Sequence, residues 1–422
     1  MKERLPLSLK VAAKRLFFQI GVEYTRLFPG SKFAERISES AREHGLGVNH
    51  SPTNSKGSIE VAVFEQLIPT PDRDAASARM VFILRALSEW CHPVFIPLGK
   101  RLWPEYEKQL WSEGIETASV LNYKQLLAHR RIAAVVLSRP AVAAALLESV
   151  RRIDPKLKIV YDMVDVHHLR AEREAALTGD PNAVREADTL RRLETHVAQA
   201  SDIVWCGSLP DREIMARLAP GVPLVVVPTV HELHKRGLPF AERNHLLFVG
   251  NFAHRPNVDA VRFLAREVLP LVRSSIPETE LLVVGVNAPP DFADYASAGV
   301  RVLGYVSNLE SLMSTCRVFV APIRFGSGVN GKIGEALAYG LPVVTTTVGA
   351  EGWGFTNGEQ ILIADSPAEF AQAVLRIYND GELWQKLSNG GYLHIKENNT
   401  PEVVGKIIND SLRNIQPSNK IE

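Results

Sequence analysis

The feature that most constrains this chain is an alternation that occurs twice. Short apolar runs of strand length take turns with longer stretches whose apolar residues recur at helical spacing. The first series of runs is IEVAVF (59–64), PVFIP (93–97), IAAVVL (132–137), LKIVYD (157–162), DIVWC (202–206) and PLVVV (223–227). Amphipathic helical stretches lie between them, including 77–89, 140–152, 168–176 and 183–200. Residues 228–244 carry no clear periodicity and read as a linker. The alternation then resumes with HLLFVG (245–250), LLVVG (281–285), VRVLG (300–304), RVFVAP (317–322), PVVTT (342–346) and ILIA (361–364). Strands that are apolar on both sides need cover on both faces, and intervening helices make them parallel. The expected fold is α/β, with two Rossmann-like doubly wound domains over 58–230 and 245–395. Ligands bind such sheets at the carboxyl ends of the strands, so two of them face to face make a cleft that can bring two substrates together.

Composition narrows the class. The chain has 422 residues, 46% hydrophobic and 23% charged, which suits two ordinary globular domains. A formal net charge of +1 gives no global attraction to nucleic acid. No stretch approaches ~18 uninterrupted apolar residues. Lys10, Lys14 and Arg15 interrupt what would be the core of a secretory signal. Cys91, Cys206 and Cys316 are far apart without metal spacing and read as reduced thiols of a cytoplasmic protein.

Residues 1–57 differ from the rest. Leu9, Ala12, Ala13, Leu16, Phe17, Ile20, Tyr24 and Leu27 recur at helical spacing among an excess of Lys and Arg. A basic amphipathic helix over 9–28 can lie on an anionic membrane, peripheral to its inner face, or pack on the body of the protein or a partner. Residues 45–58 are linker chemistry, and a C-terminal helix over 396–422 can cross back to the first domain.

The glycine-rich stretch GSGVNGKI follows the run at 317–322 and opens a helix over 331–339. Free N–H groups and the helix dipole suit an anion there. Gly326, Gly328 and Gly331 match G-x-G-x-x-G, but that fingerprint belongs after the first strand of its domain. The P-loop pattern fails because Ile333 cannot ligate magnesium. Glu335, one turn into the helix, can accept hydrogen bonds from both ribose hydroxyls, while the loop, Arg324 and Lys332 meet a diphosphate. HELH (231–234) misses a metalloprotease spacing, and Asp165-Val166-His167 has no companion ligands, so no metal site is expected.

At these residues the chain resembles the GT-B glycosyltransferases of family 4. APIRFGSGVNGKIGEALAYGLPVVTTTVGAEG resembles the family's donor motif, and FVGNFAHRPNVDAVRFL (248–264) and GYVSNLESLMSTCRVFVAP (304–322) resemble other repeats of its C-terminal domain. QLIPTPDRDAASARM (66–80) and YDMVDVHHLRAERE (161–174) resemble N-domain signatures of a subgroup found in bacterial surface-polysaccharide synthesis. The resemblance implies transfer of a sugar, with retention, from a nucleoside-diphosphate donor to a glycan or lipid-linked acceptor, with no metal or other cofactor.

Departure of the leaving group places negative charge on the diphosphate, so cations and N–H groups must gather there. The expected donor residues are Gly250, His254, Arg324, Gly326, Ser327, Gly328, Lys332 and Glu335. Arg139, Asp165 and His167, at the ends of N-domain strands, are the expected catalytic contacts to donor sugar or acceptor. Asp72, Arg73 and Asp74 are placed to orient an acceptor or a phosphate. Ser327 stands where many members have the first of two glutamates, Asn330 where the subgroup often has Lys, Ala76 where Gly is common, and Asn251 where Arg follows Gly250. These departures leave two further readings open: a nucleotide-sugar-binding subunit without catalysis, and a GT-B epimerase acting on the nucleotide sugar itself.

Overall fold

The computed structural model describes residues 59–72, 75–99, 104–179, 181–326 and 328–413. The helix expected over 9–28 and the tail beyond 413 lie outside the described residues.

Two parallel sheets form the body. The first joins β1 (Glu60–Glu65), β2 (His92–Pro97), β3 (Glu116–Thr117), β4 (Ile132–Ser138), β5 (Lys158–Asp162), β6 (Ile203–Cys206) and β7 (Leu224–Val226) in the order β3-β2-β1-β4-β5-β6-β7. The second joins β8 (Asn244–Val249), β9 (Leu281–Val284), β10 (Val300–Gly304), β11 (Cys316–Ala321), β12 (Val343–Thr345) and β13 (Leu362–Ile363) in the order β10-β9-β8-β11-β12-β13. Every apolar run of the sequence coincides with a strand. Only β3 was not anticipated, because its two residues are polar; Glu116 is buried there against Arg130 and His92, at 2.7 and 2.9 Å.

Helices cover both faces. In the first half they are α1 (Ala75–Ser88), α2 (Pro104–Ser112), α3 (Tyr123–His129), α4 (Pro140–Ile153), α5 (His167–Thr178), α6 (Pro181–Ala200) and α7 (Leu209–Leu218). In the second they are α8 (Arg255–Phe263), α9 (Leu269–Arg273), α10 (Glu310–Thr315), α11 (Gly331–Ala338), α12 (Pro367–Asn379), α13 (Gly381–Asn398) and α14 (Pro401–Leu412). Their apolar faces follow from spacing: α1 buries Met80, Ile83, Leu84 and Leu87, and α12 buries Phe370, Ala373, Val374 and Ile377. Helix α12 opens with Pro367 after a capping box in which Ser366 and Glu369 satisfy each other's backbone N–H.

Each sheet has a separate apolar core on either face. One of the first domain's cores takes in Val404, Ile408 and Leu412, so α14 belongs to that domain by packing although it follows the second in sequence. Trp90 and Trp205 donate their indole N–H groups to Asn409 and Ser411 of α14 at 2.7 and 3.1 Å. The return crossing lies beside the linker: His231 N–H donates to the Asn399 carbonyl at 2.8 Å, and the Asn399 amide donates to the Thr229 carbonyl at 2.9 Å.

Strand order reverses between β1 and β4 in one sheet and between β8 and β11 in the other. Such reversal points leave a crevice at the carboxyl ends of the strands. Here the two crevices face one another.

Candidate active site

A cavity of about 580 Å³ occupies this space, lined by residues from both domains. The second domain contributes Gly250, Asn251 and His254 after β8, and Phe325, Gly326 and 328–332 after β11. The first contributes Glu65, Arg139, Asp165, Arg170 and the start of α1.

The glycine loop takes its shape from residues that tolerate unusual backbone. Gly326 and Gly328 have φ of 151° and 75°, where a side chain is strained. A Cβ on Gly328 would lie 2.7 Å from the Cβ of Asp165, so the loop backbone touches the opposite domain. Asn330 caps α11 by accepting the Lys332 N–H at 3.1 Å. Asn, which stands here where the resembled subgroup often has Lys, is among the best N-cap residues. Helix α11 is anchored by Ile333, Ala336 and Leu337, which are fully buried and aim its amino end at the cavity.

Facing it are two residues with unusual backbone. Arg139 and Val164 have φ of 75° and 66°, a region costly for a side-chain-bearing residue and most of all for a β-branched one. Both line the cavity. Strain of this kind persists only where the surroundings enforce it, and it gathers at functional sites. Val164 sets the direction of Asp165, whose carboxylate meets His167 Nδ1 at 3.1 Å and Arg170 at 3.3 Å.

Beneath these lies a buried polar network that sequence reasoning missed. Arg79 holds Asp162 through both carboxylate oxygens at 2.8 and 2.9 Å. Glu65 accepts from Ser138, from the Arg139 guanidinium and from the Gln66 N–H, all at 2.7–2.8 Å. The signal was available: the apolar runs of β1, β4 and β5 each end in a polar residue, Glu65, Ser138 and Asp162.

Several expected site residues are placed otherwise. Arg324 does not line the cavity; its guanidinium pairs with Asp259 at 2.8 Å and lies over the Phe263 ring at 5.1 Å, both on α8. Glu335 does not line it either, and sits one turn behind Lys332, whose ammonium it accepts at 2.7 Å. His167 turns inward. Burial disfavours its charged form, but the Asp165 carboxylate and the hydrogen bond to Glu194 outweigh this and raise its pKa above the ordinary value. Glu194, fully buried, also accepts His168 Nδ1 at 2.6 Å, so this histidine pair anchors α5 on α6. Asp72 accepts from Tyr106 at 2.6 Å and from Tyr305 of the second domain at 3.0 Å, bridging the cleft. Arg73, Asp74 and Ser327 lie outside the described residues. Among the described residues, no group of three or more His, Cys, Asp or Glu is arranged to hold a metal, and no helix is long and apolar enough to cross a membrane.

Comparison with known proteins agrees with this fold. Residues 243–380 match the family described as Glycosyl transferases group 1. A protein of Klebsiella pneumoniae, "Uncharacterized 44.6 kDa protein in cps region", is 25% identical over 164 residues, or 36% of this chain; the match spans 42% of that relative's length. Among solved structures, sucrose-phosphate synthase from Thermosynechococcus elongatus superposes with a TM-score of 0.66 at 16% identity, covering 84% of this chain and 98% of that one. Anabaena HepE in complex with UDP-glucose gives 0.64 at 12% identity, covering 84% and 99%. A Rickettsia africae glycosyltransferase gives 0.63 at 13%, covering 85% and 100%. The described chain thus has the two-domain GT-B fold of glycosyltransferase structures, with its group 1 glycosyl transferase match in the second domain.

Proposed function

We propose that this protein is a metal-independent glycosyltransferase. It moves a sugar from a nucleoside-diphosphate donor to an acceptor hydroxyl with retention, in the manner of family 4, during synthesis of a surface polysaccharide or glycolipid. The observation that carries the reading is one cavity in which Lys332 and the capped amino end of α11 face Asp165 and Arg139. The nucleotide complexes of HepE support a nucleotide-sugar donor, and the cps-region relative supports the polysaccharide setting.

In this reading the bond from the anomeric carbon to the diphosphate breaks as the acceptor oxygen bonds on the same face. The departing phosphate oxygen takes the acceptor's proton. Lys332 and the loop N–H groups meet the charge that develops on the diphosphate. Asp165 and Arg139, held by enforced backbone, orient the sugar and the acceptor; orientation supplies much of the rate when no protein nucleophile takes part. The protein works in the cytoplasm, and residues 9–28 hold it to the inner face of the membrane. Salt-sensitive binding to anionic vesicles, lost in a chain that starts at residue 58, tests that attachment.

The experiment for the main reading is a thermal-shift titration with UDP, GDP, dTDP and CMP, followed by incubation with sugars carried on the base that binds. A ligand that binds only the folded state stabilises it by about 2.7 kcal/mol at a hundredfold excess over Kd. No shift with any nucleotide would sink the reading. Binding without transfer would favour the non-catalytic subunit, and conversion of the donor without an acceptor would favour the epimerase.

A further inference from the structure

We infer that Arg173 is a positioning residue of the glycine loop, holding that loop in shape from the opposite domain. Its importance for donor binding rests on the functional reading above; the positioning itself does not.

Arg173 lies on α5 of the first domain and reaches across the cleft. Its Nη1 donates to the Gly326 carbonyl at 2.9 Å, and its Nη2 donates to Glu351 Oε1 at 2.8 Å. Nη1 also meets Glu351 Oε2 at 2.5 Å. One guanidinium therefore ties together two loops of the second domain, the one after β11 and the one after β12. Only a planar fork with several N–H donors can hold a carboxylate by both oxygens and a carbonyl at once.

The side-chain side of Gly326 is open. A Cβ on Gly326 would meet one atom within 4 Å, Ile323 Cγ2 at 3.8 Å. Several close contacts along this surface come from across the cleft. Gly328 lies against Asp165, and Gly352, beside Glu351, lies against Ser208 of the first domain and Val329 of the loop. The loop thus takes its described shape with the first domain in place. Closure of the cleft and formation of the loop are one event, and Arg173 is the hydrogen-bonding link between them.

Hydrogen exchange of the amides of 325–331 tests this in the full chain, with Arg173→Ala, Arg173→Lys and Glu351→Gln. A lysine can keep an ion pair with Glu351 but cannot hold the Gly326 carbonyl as well. Exchange of the loop should rise at least tenfold in both Arg173 variants, while β8, β9 and β11 stay protected. Glu351→Gln should raise it less, because the Gly326 bond survives. Unchanged loop exchange in a folded Arg173→Ala protein would overturn the inference. So would wild-type exchange in Arg173→Lys, which also decides the matter should the alanine variant not fold.

Nucleotide titration separates the two readings. With the base that binds wild type, Arg173→Ala should weaken binding roughly tenfold, the loss expected for a charge-assisted hydrogen bond, and raise the donor KM more than it lowers kcat. Faster loop exchange with unchanged nucleotide affinity would keep the positioning role and remove the loop from the donor site. Absence of nucleotide binding by wild type would sink the functional reading and leave loop exchange to decide this one.

Discussion

Glu65 and Asp162, on strands that flank β4, converge on one hydroxyl. Ser138 Oγ lies 2.8 Å from Glu65 Oε2 and 3.1 Å from Asp162 Oδ2. A hydroxyl has one hydrogen, so it serves one carboxylate at a time, and each needs a further cation. Arg139 supplies one and Arg79 the other. The carboxyl ends of three strands and the helix α1 are thereby locked under the cavity by charge rather than by apolar packing.

Arg79→Met should unfold more readily than wild type by roughly 3–5 kcal/mol, because it strands the fully buried Asp162 carboxylate. Urea unfolding measures this. The double variant Arg79→Met, Asp162→Leu should recover most of the loss. A single-variant loss below about 1 kcal/mol would show that the pair carries little.

Stability should fall with rising pH through Asp211. Burial pushes its carboxyl up to about 6, against the hydrogen bond from Ser208, and the carboxylates of Asp165, Glu351 and Glu194 add to the rise. The folded-state pKa lies above the unfolded one. The contribution is therefore full below about pH 4 and is lost as pH rises through about 6. Asp211→Asn should be more stable than wild type by roughly 2–3 kcal/mol at pH 8, a gap that closes towards pH 4. Thermal melts across that range would show a constant gap if Asp211 did not titrate there. Glu194 works in the opposite sense: burial would raise its pKa, but the hydrogen bonds from His167 and His168 hold it down to about 2, so its stabilisation is full above about pH 4.5 and is lost as pH falls from there through about 2.

Val164→Gly should stabilise the fold and slow the proposed transfer. Relief of a left-handed valine is worth roughly 1–2 kcal/mol, offset by about 0.5–1 kcal/mol for the added freedom of the unfolded chain. The same freedom loosens Asp165. A variant equal to wild type in rate would mean that the enforced backbone does not serve the reaction.

Lys332→Ala should weaken nucleotide binding by about 1.5–3 kcal/mol, and Glu335→Ala by less, because Glu335 stands behind the cavity and acts through Lys332. Glu335 holds the Lys332 ammonium at 2.7 Å, so the two losses should not add. Calorimetry on both single variants and the double measures this. Full additivity would show that the two side chains act independently.

The sheets were legible because their strands are buried on both faces and so appear as apolar runs in the sequence. Strand β3 was not, since its two residues are polar and are buried only because the side chains of Glu107 and Arg130, on neighbouring segments, fold back onto them. The glycine loop and Lys332 were legible as a local pattern. The partners of Arg324, His167 and Asp72 were not. Asp259 lies 65 residues from Arg324, Glu194 lies 27 from His167, and Tyr305 lies 233 from Asp72. Charge at a strand end indicates that a residue sits near a crevice, but the carboxylate or carbonyl it meets is settled by the fold.

The return of α14 to the first domain means that the chain passes between the domains twice. Those passages are not independent, because His231, Thr229 and Asn399 bond them side by side. A single tether would act as a ball joint. Two joined tethers act as a door hinge, which allows rotation about one axis and resists twisting and sliding. Any opening of the cleft must swing the loop after β11 away from Asp165 and bring it back along the same arc, so each closing returns the same face to the same partner.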